Sequence, residues 1–190
     1  MPKIQTQAEL ISTCHTAIKS SNPFASIEAI MQNLFTIPSD VLENIIWTKD
    51  NQAISSIYIS SEISIRKIVI PPYYHGHIHD HNIWTIGGVI QGEEENVYYQ
   101  ESMHGLSECH IEKNKAHTCF SMQQDVIHAV RNNSAHTTIS LHIYGGNLMQ
   151  EQKYIWHPLT LEKLPYNYDK AHEFSQLMTA NLSSSGTAAS

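Results

Sequence analysis

The feature that most constrains the fold is a long series of short strand-like runs between residues 54 and 144. Several runs alternate apolar and polar side chains with the period of two that a strand requires. Turn residues separate the runs at intervals of about 8–12 residues, a spacing typical of a sandwich or barrel. The runs are an isoleucine-rich stretch over 54–70 and the segments 83–90, 95–100, 107–112, 117–122, 129–132 and 137–144. The sequence therefore predicts a mainly β chain.

The N-terminal part of the chain has a helical pattern instead. Apolar residues recur at steps of three and four over residues 8–20, and a second such stripe follows Pro23. Asn22 is a suitable N-cap for that second helix, because proline is favoured at the first helical position. Ser39 is in a position to cap a short third helix over residues 41–46.

The length of 190 residues fits one folded domain. We expect residues 1–50 to form a helical cap that belongs to this domain. Residues 51–170 are predicted to form the barrel, with its last part wrapped over the outside. The end of the chain is small and polar, which favours a flexible tail over residues 171–190.

Composition excludes several classes of partner. The chain has 18 Asp plus Glu against 11 Lys plus Arg. This acidic balance argues against a nucleic-acid-binding protein, which needs a basic surface. No apolar run reaches the roughly 18–20 residues that cross a bilayer, and the N-terminus lacks a signal-peptide pattern. Cys14, Cys109 and Cys119 lack disulfide or metal-motif spacing and indicate a reducing compartment. We therefore expect a cytoplasmic protein without nucleic-acid or membrane partners.

Histidine is unusually frequent, with 13 residues in the chain. Four of them fall at every second position of one strand-like segment, namely His75, His77, His79 and His81. Alternate residues of a strand project to one face, so a His-x-His pair offers two imidazoles to one metal ion. The spacing indicates a metal site on this segment and leaves open which pair binds.

Two patterns around these histidines resemble the motifs of the cupin superfamily. Its first motif is a His-x-His pair followed by an acidic position and a glycine, and its second contributes a third histidine. His79 and His81 fit the first motif, with Gly92 as the glycine. His128, followed by Asn132, fits the second. The resemblance implies a cupin double-stranded β-helix, which is a jelly-roll barrel, with N-terminal α-helices and these three histidines as metal ligands.

Thr85 stands at the acidic position of the first cupin motif. Most single-metal cupins have a carboxylate there as a fourth ligand, and iron oxygenases often combine two histidines with one carboxylate. The resemblance therefore implies a neutral three-histidine site in this chain. Such a site leaves a divalent ion its full charge and leaves positions for an anionic substrate and O2.

Ser140, His142 and Tyr144 alternate by two and so share one face of a predicted strand. Together with the two cupin motifs, this pattern resembles the thiol dioxygenases, namely the cysteine dioxygenase family with its 3-mercaptopropionate-type members, over roughly residues 54–168. The resemblance implies one Fe(II) per chain, O2 as co-substrate and oxidation of a small-molecule thiol to its sulfinic acid. Tyr144 would donate a hydrogen bond beside the iron. His142 would orient Tyr144, and Ser140 would orient His142.

The chain departs from that family at the substrate and crosslink positions. Members that take cysteine bind its carboxylate with an arginine, whose position aligns roughly with Ile59. Arg66 is the candidate substrate anchor here, and Trp84 is a candidate wall of the pocket. Some members carry a Cys–Tyr crosslink, but Thr85 stands where the cysteine would be. We therefore expect no crosslink to Tyr144, and the identity of the thiol stays open.

Two other functions stay open from the sequence. One is a different metal-dependent cupin enzyme, such as a non-thiol dioxygenase or an isomerase that uses zinc or nickel. The other is a non-catalytic cupin that binds a small ligand, for which Tyr144 would have no purpose. We further expect His75 and His77 to line the pocket mouth or point outward, and the acidic run 93–95 to be solvated. The protein is expected to be a monomer or a small homo-oligomer.

Overall fold

The computed structural model describes residues 3–49 and 52–185. Three helices precede the strands and a fourth follows them. They are α1 (Gln7–Ala17), α2 (Pro23–Leu34), α3 (Ser39–Ile45) and α4 (Tyr168–Ser185). None of the helices in the described ranges combines the length and the apolar character needed to cross a membrane.

The starts of two helices test the predicted caps. The Asn22 side chain accepts a hydrogen bond from the N–H of Ala25, and Pro23 is the first residue of α2, as predicted. The prediction that Ser39 caps α3 is wrong. Pro38 occupies the N-cap in extended conformation, so Ser39 is already helical and no side chain caps the helix.

Strands make up most of the middle of the chain. They are β1 (Ile54–Ile59), β2 (Ser64–Ile70), β3 (Tyr74–His75), β4 (Ile78–Asp80), β5 (Thr85–Gln91), β6 (Glu93–Ser102), β7 (Gly105–Lys115), β8 (Cys119–Met122), β9 (Ile127–Asn132), β10 (Thr138–Tyr144), β11 (Tyr154–Trp156) and β12 (Lys163–Pro165). The short β3 and β4 carry the histidine-rich segment, and the strand type predicted for the longer runs is confirmed.

The strands form two facing antiparallel sheets. One has the order β1-β2-β10-β5-β8, and the other has the order β12-β11-β4-β9-β6-β7 with β3 paired to β9. The chain crosses repeatedly from one sheet to the other, for example from β4 to β5 and from β9 to β10. This winding is the double-stranded β-helix, so the mainly β fold with N-terminal helices is confirmed.

A tight turn between β5 and β6 requires glycine. Gly92 has a φ of +81°, and a Cβ on it would lie 2.6 Å from the Thr138 Oγ1 atom. Only glycine fits both the left-handed backbone and this close approach. The turn sends the chain from one sheet into the other, which brings the start of β6 into the interior.

The largest apolar core lies between the five-stranded sheet and the helices α1–α3. Ile86, Leu141 and Ile143 of the sheet are fully buried there. The helical layer approaches so closely that a Cβ on Gly88 would lie 2.5 Å from the Met31 sulfur. Each such buried side chain contributes about 1.5–3 kcal/mol to folding. The helices therefore form one continuous core with the barrel.

Helix α4 contradicts the flexible tail predicted over residues 171–190. Its Ala171 and Phe174 are buried against β11, and its Ser175 hydroxyl accepts a backbone N–H from the histidine-rich segment. Ala171, Phe174 and Met178 recur at steps of three and four, so a helical pattern was present in the sequence. Their burial depends on contacts with distant strands, which the composition of the chain end does not show. Residues 186–190 of the predicted tail lie outside the described residues.

Candidate metal centre

His79, His81 and His128 lie together between the two sheets. His79 in β4 is directly opposite His128 in β9, and His81 follows the end of β4. The Nε2 atom of His81 lies 3.1 Å from that of His79 and 3.4 Å from that of His128. Within the described ranges, these side chains form the one group of three metal-ligating residues with ligand atoms within 4.8 Å of one another. The structure thus brings together the three predicted ligands.

The second ring nitrogen of each histidine contacts an oxygen atom. These Nδ1 contacts are His79 with the His77 carbonyl at 3.1 Å, His81 with the Thr85 hydroxyl at 2.9 Å and His128 with Asn96 Oδ1 at 3.1 Å. A carbonyl oxygen only accepts, so His79 and His128 carry a proton on Nδ1. Each of these rings therefore directs an Nε2 lone pair at the centre of the group.

The spacing of the Nε2 atoms fits one shared metal ion. Lone pairs converging at these distances repel one another unless a cation lies between them. Ligands with metal–nitrogen distances of about 2.0–2.1 Å lie about 3.0–3.4 Å apart when they share an ion. A set of neutral imidazoles suits zinc, iron, copper or nickel. The residues present therefore fit a mononuclear metal site.

Burial keeps these imidazoles neutral. It lowers the pKa of His79 to about 4 and holds the pKa values of His81 and His128 well below the usual range. The neighbouring histidines lower the values for His81 and His128 further. Since neutral imidazole is the form that binds metal, the group is deprotonated and competent to bind at neutral pH.

Thr85 is an uncharged neighbour of the three histidines. It is fully buried, it contacts His81 and it lies directly opposite Tyr144 in the pairing of β5 with β10. No Asp or Glu of the described residues belongs to the ligand group. Thr85 therefore supports a ligand ring without adding a charge to the site.

Tyr144 approaches the three histidines from the opposite sheet. Its ring meets the His81 ring edge-on, with 5.1 Å between the centroids. The Tyr144 hydroxyl oxygen lies 3.2 Å from Nδ1 of His142, as the sequence predicted for this pair. Burial raises the pKa of Tyr144, so its hydroxyl keeps its proton at neutral pH. The site therefore combines three neutral imidazoles that fit a metal ion with one protonated phenol.

The predicted contact between Ser140 and His142 is wrong. The Ser140 hydroxyl donates to the carboxylate of Glu94 in β6, and another oxygen of Glu94 lies 3.6 Å from Nε2 of His142. Glu94 is fully buried, so the solvated face predicted for the run 93–95 is wrong at this position. Strand alternation explains the error, because Glu93 points outward and the next residue points inward. The alternation of β6 was therefore the sequence signal that could have identified Glu94 as a buried residue.

A cavity of about 340 Å³ borders the three histidines. One part of its wall is apolar, formed by Ile68, Val69, Ile70 and Leu148, and its polar part includes Arg66, His77, His142, Tyr144, Lys153, Tyr166 and His172. A larger groove of about 690 Å³ lies between α1 and α2, lined by small residues. That groove contains no metal-ligating group, so the chemistry belongs to the smaller cavity.

Two cationic side chains face this cavity. Arg66 lies opposite His142 in the pairing of β2 with β10, and its buried Nε has no hydrogen-bond partner. The ammonium of Lys153 lies 4.5 Å from the centre of the Tyr166 ring. Burial, with Arg66 nearby, lowers the pKa of Lys153 to about 8. Lys153 and Tyr166 follow β10 in a segment without regular periodicity, so no sequence pattern identified them as pocket residues.

Of the other residues that the sequence placed near the pocket, one lines the cavity and two do not. Trp84 does not line the cavity, because it packs against Phe24 of α2 with 5.9 Å between the rings, so its predicted role as a wall is wrong. It lies on the face of the sheet that the helices cover. His77 lines the cavity with a buried, unpartnered Nε2, whereas His75 is buried and bonds Asn133 at 2.7 Å.

The solved structures that resemble this chain share its double-stranded β-helix fold. No protein-family model matches the sequence, and no curated protein matches it. A conserved protein with a double-stranded β-helix domain from Klebsiella pneumoniae is 13% identical, with a TM-score of 0.46 over 63% of this chain and 88% of that one. An RmlC-like cupin family protein from Methanocaldococcus jannaschii is 12% identical, with a TM-score of 0.45 over 55% and 91%. Oxalate decarboxylase from Lactobacillus farciminis is 14% identical, with a TM-score of 0.43 over 55% and 32%.

Proposed function

We propose that this protein is a mononuclear, non-haem Fe(II)-dependent thiol dioxygenase, which uses O2 to oxidise a small thiol to its sulfinic acid. Both atoms of O2 become bonded to sulfur, so a thiol RSH and O2 combine to give RSO2H. The electrons that sulfur loses are the electrons that O2 accepts. The reaction therefore requires no further reductant.

The observation that carries this proposal is the position of the Tyr144 hydroxyl. It lies beside three neutral histidines and is held by His142, which is itself fixed within the barrel. A site that only binds a ligand has no need for a phenol whose proton is kept in place in this way. An enzyme that transfers oxygen to a bound thiolate needs such a phenol, because a positioned hydrogen-bond donor stabilises the negative charge that develops during the reaction.

The residues divide the work of this reaction. His79, His81 and His128 are suited to hold the metal. A ferrous ion bound there supplies the electron exchange that O2 needs and keeps the thiol deprotonated. Tyr144 holds a proton next to the reacting sulfur, and His142 orients Tyr144. The apolar wall of the cavity excludes water from the oriented reactants, which strengthens these polar contacts.

Arg66 and Lys153 support a substrate with an acidic group. Both are cations at neutral pH, both line the cavity, and Arg66 has a buried donor without a partner. A guanidinium binds a carboxylate in bidentate geometry. The cavity volume suits a small molecule. A small carboxylate-bearing thiol is therefore the substrate class that we propose.

Oxygen consumption by iron-loaded protein tests the proposal. The protein is loaded with Fe(II) under argon, mixed with O2, and given in turn a carboxylate-bearing thiol, an aminothiol and a neutral thiol. We expect rapid O2 uptake with the carboxylate-bearing thiol, and a sulfinic acid that carries both atoms of ¹⁸O2 in mass spectrometry. The Zn(II)-loaded protein is the matched control, since zinc fits the same ligands without redox chemistry.

The same experiment separates the other candidate functions. O2 uptake with a non-thiol acid, and none with any thiol, would indicate a different cupin dioxygenase. Tight binding of small acids without turnover under any metal would indicate a non-catalytic binding protein, favoured by the same cations. Either result would overturn the assignment as a thiol dioxygenase.

A further inference from the structure

Glu94 is a fully buried carboxylate that none of the roles above uses. A buried charge is strongly destabilising unless donors surround it. Glu94 has such donors on two strands, namely the Ser140 hydroxyl and the Asn96 amide, and Nε2 of His142 lies 3.6 Å from its carboxylate. Two hydrogen bonds and a neighbouring imidazole around one carboxylate make this a built polar site.

One branch from Glu94 leads to Tyr144. The carboxylate lies next to Nε2 of His142, and Nδ1 of the same ring lies 3.2 Å from the Tyr144 hydroxyl. A carboxylate only accepts hydrogen bonds, so His142 places its Nε2 proton on the Glu94 side. The Nδ1 atom then accepts a hydrogen bond from the Tyr144 hydroxyl in the resting site. The hydroxyl turns about its C–O bond to donate beside the metal position when the substrate is bound.

The other branch from Glu94 leads to the metal ligands. The Asn96 amide nitrogen donates to Glu94 at 3.2 Å, which turns the amide oxygen of Asn96 to Nδ1 of His128 at 3.1 Å. Because that oxygen only accepts, His128 must carry its proton on Nδ1. Its Nε2 lone pair then faces the metal position. The orientation of Asn96 follows from the carboxylate on its other side.

We propose that Glu94 is a positioning residue that sets the proton arrangement on both sides of the site at once. Through Asn96 it prepares His128 as a metal ligand, and through His142 it orients Tyr144. Ser140, which the sequence pattern placed next to His142, serves instead to hold Glu94. The catalytic consequence of this coupling rests on the proposed function, whereas the proton positions do not.

Nuclear magnetic resonance of ¹⁵N-labelled histidine in the metal-free protein tests the branch to Tyr144. The His142 signals are identified by their loss in His142→Gln. We expect Nε2-protonated His142 in the wild type and a switch to the Nδ1-protonated form in Glu94→Gln, whose amide can donate to Nε2. Glu93→Gln is the matched control, since its side chain is one residue away and exposed. An unchanged His142 pattern in folded Glu94→Gln would overturn the proposal.

Co(II) affinity tests the branch to the metal ligands. Loss of the group behind a ligating histidine lowers metal affinity by about 10–100-fold. We expect a loss of this size in Glu94→Gln and none in Glu93→Gln. If Glu94→Gln does not fold, the Asn96→Leu variant tests this branch instead. It removes the hydrogen bond to His128 and leaves Glu94 beside His142. Reduced Co(II) affinity with an unchanged His142 pattern supports the proposal, and unchanged affinity overturns it.

Steady-state turnover tests whether the changes in the His142 signals and in Co(II) affinity affect catalysis. With a carboxylate-bearing thiol we expect Glu94→Gln to lower kcat while KM changes by less than about twofold, since Glu94 does not touch the substrate cavity. The magnetic resonance and Co(II) measurements need neither thiol nor O2. If the wild type shows the expected proton positions and oxidises no thiol, the proposed function fails and the role of Glu94 stands. If thiol oxidation is normal in Glu94→Gln, the positioning role is overturned.

Discussion

The two faces of strand β10 show how one backbone serves two purposes. Leu141 and Ile143 point to the helices and are fully buried in the apolar core. Ser140, His142 and Tyr144 point to the other side and are nearly as buried, yet each has a polar contact. The strand period of two separates these sets completely. The comparison shows that burial alone does not distinguish a core face from a chemical face.

The faces differ in what remains unsatisfied. The helix-covered face gains stability from removing apolar area from water, and its β10 residues Leu141 and Ile143 carry no polar side-chain atoms. On the interior face, the buried nitrogens Arg66 Nε and His77 Nε2 have no hydrogen-bond partner among the described residues. Buried polar atoms without partners are rare in folded proteins. Their presence around one cavity indicates a surface shaped for a bound molecule.

The largest effect on the interior face should come from a metal ligand. We expect His128→Ala to lower Co(II) affinity by more than about 100-fold, because even the groups behind a ligand contribute about 10–100-fold. Equilibrium dialysis measures the affinity, and circular dichroism checks the fold. The control is His104→Ala, an exposed histidine between β6 and β7. Unchanged Co(II) affinity in His128→Ala would show that the three histidines do not form a metal site.

The matching change on the apolar face is Leu141→Ala. It should lower the free energy of unfolding by about 2–5 kcal/mol, because the helices cannot close the resulting space. The Co(II) affinity of the folded variant should stay the same, since the side chain points away from the histidines. Urea denaturation and dialysis measure the two quantities. A large loss of affinity with little loss of stability would show that the two faces are not separate.

A smaller effect is expected from Tyr144→Phe. It removes the hydroxyl beside the three histidines. We expect turnover of a thiol to fall by about 10–100-fold, because a hydrogen bond to a charged group contributes about 1.5–3 kcal/mol. Metal content should be unchanged, because Tyr144 is not a ligand. Steady-state O2 uptake and metal analysis check both parts, with exposed Tyr73→Phe as control. Full activity of Tyr144→Phe would contradict the role given to this phenol.

The smallest expected effect concerns Lys153 and pH. Its pKa is lowered to about 8 by burial and by Arg66, opposed by Asp80 and Glu151, so its charge is present below that pH and lost above it. We expect KM for a carboxylate-bearing thiol to rise about fivefold through this range, since a partly exposed ion pair contributes about 1 kcal/mol.

Variants of Lys153 separate its titration from that of the thiol. Lys153→Arg keeps its positive charge above pH 8. The rise of KM that Lys153 causes in the wild type should therefore be absent from this variant. Lys153→Met should have the higher KM at every pH. The thiol itself titrates equally in all three proteins. Identical pH profiles of KM would exclude Lys153 from substrate binding.

Local patterns explain which parts of the site could be predicted. His79, His81 and His128 stand in short motifs that resemble those of cupins. Strand alternation places His142 and Tyr144 on one face, and the resemblance to thiol dioxygenases implied their contact. Glu94 was missed because a run of three acidic residues after a turn is usually solvated. Its partner Ser140 is 46 residues away in the sequence. The packing of one sheet against the other, which brings them together, is a non-local event that no short window of sequence reveals.

Periodicity within short segments predicted the strand-rich barrel and the helical start of the chain, and resemblance to the two cupin motifs predicted the three histidines. The folded arrangement of distant segments settled which charges enter the interior. It placed Glu94 behind the ligands, turned Arg66 and Lys153 to the cavity, and sent Trp84 to the helices. It also ordered α4, whose contact with β3 spans 104 residues. These outcomes depend on which distant groups satisfy a buried polar atom, and that is settled only when the sheets come together.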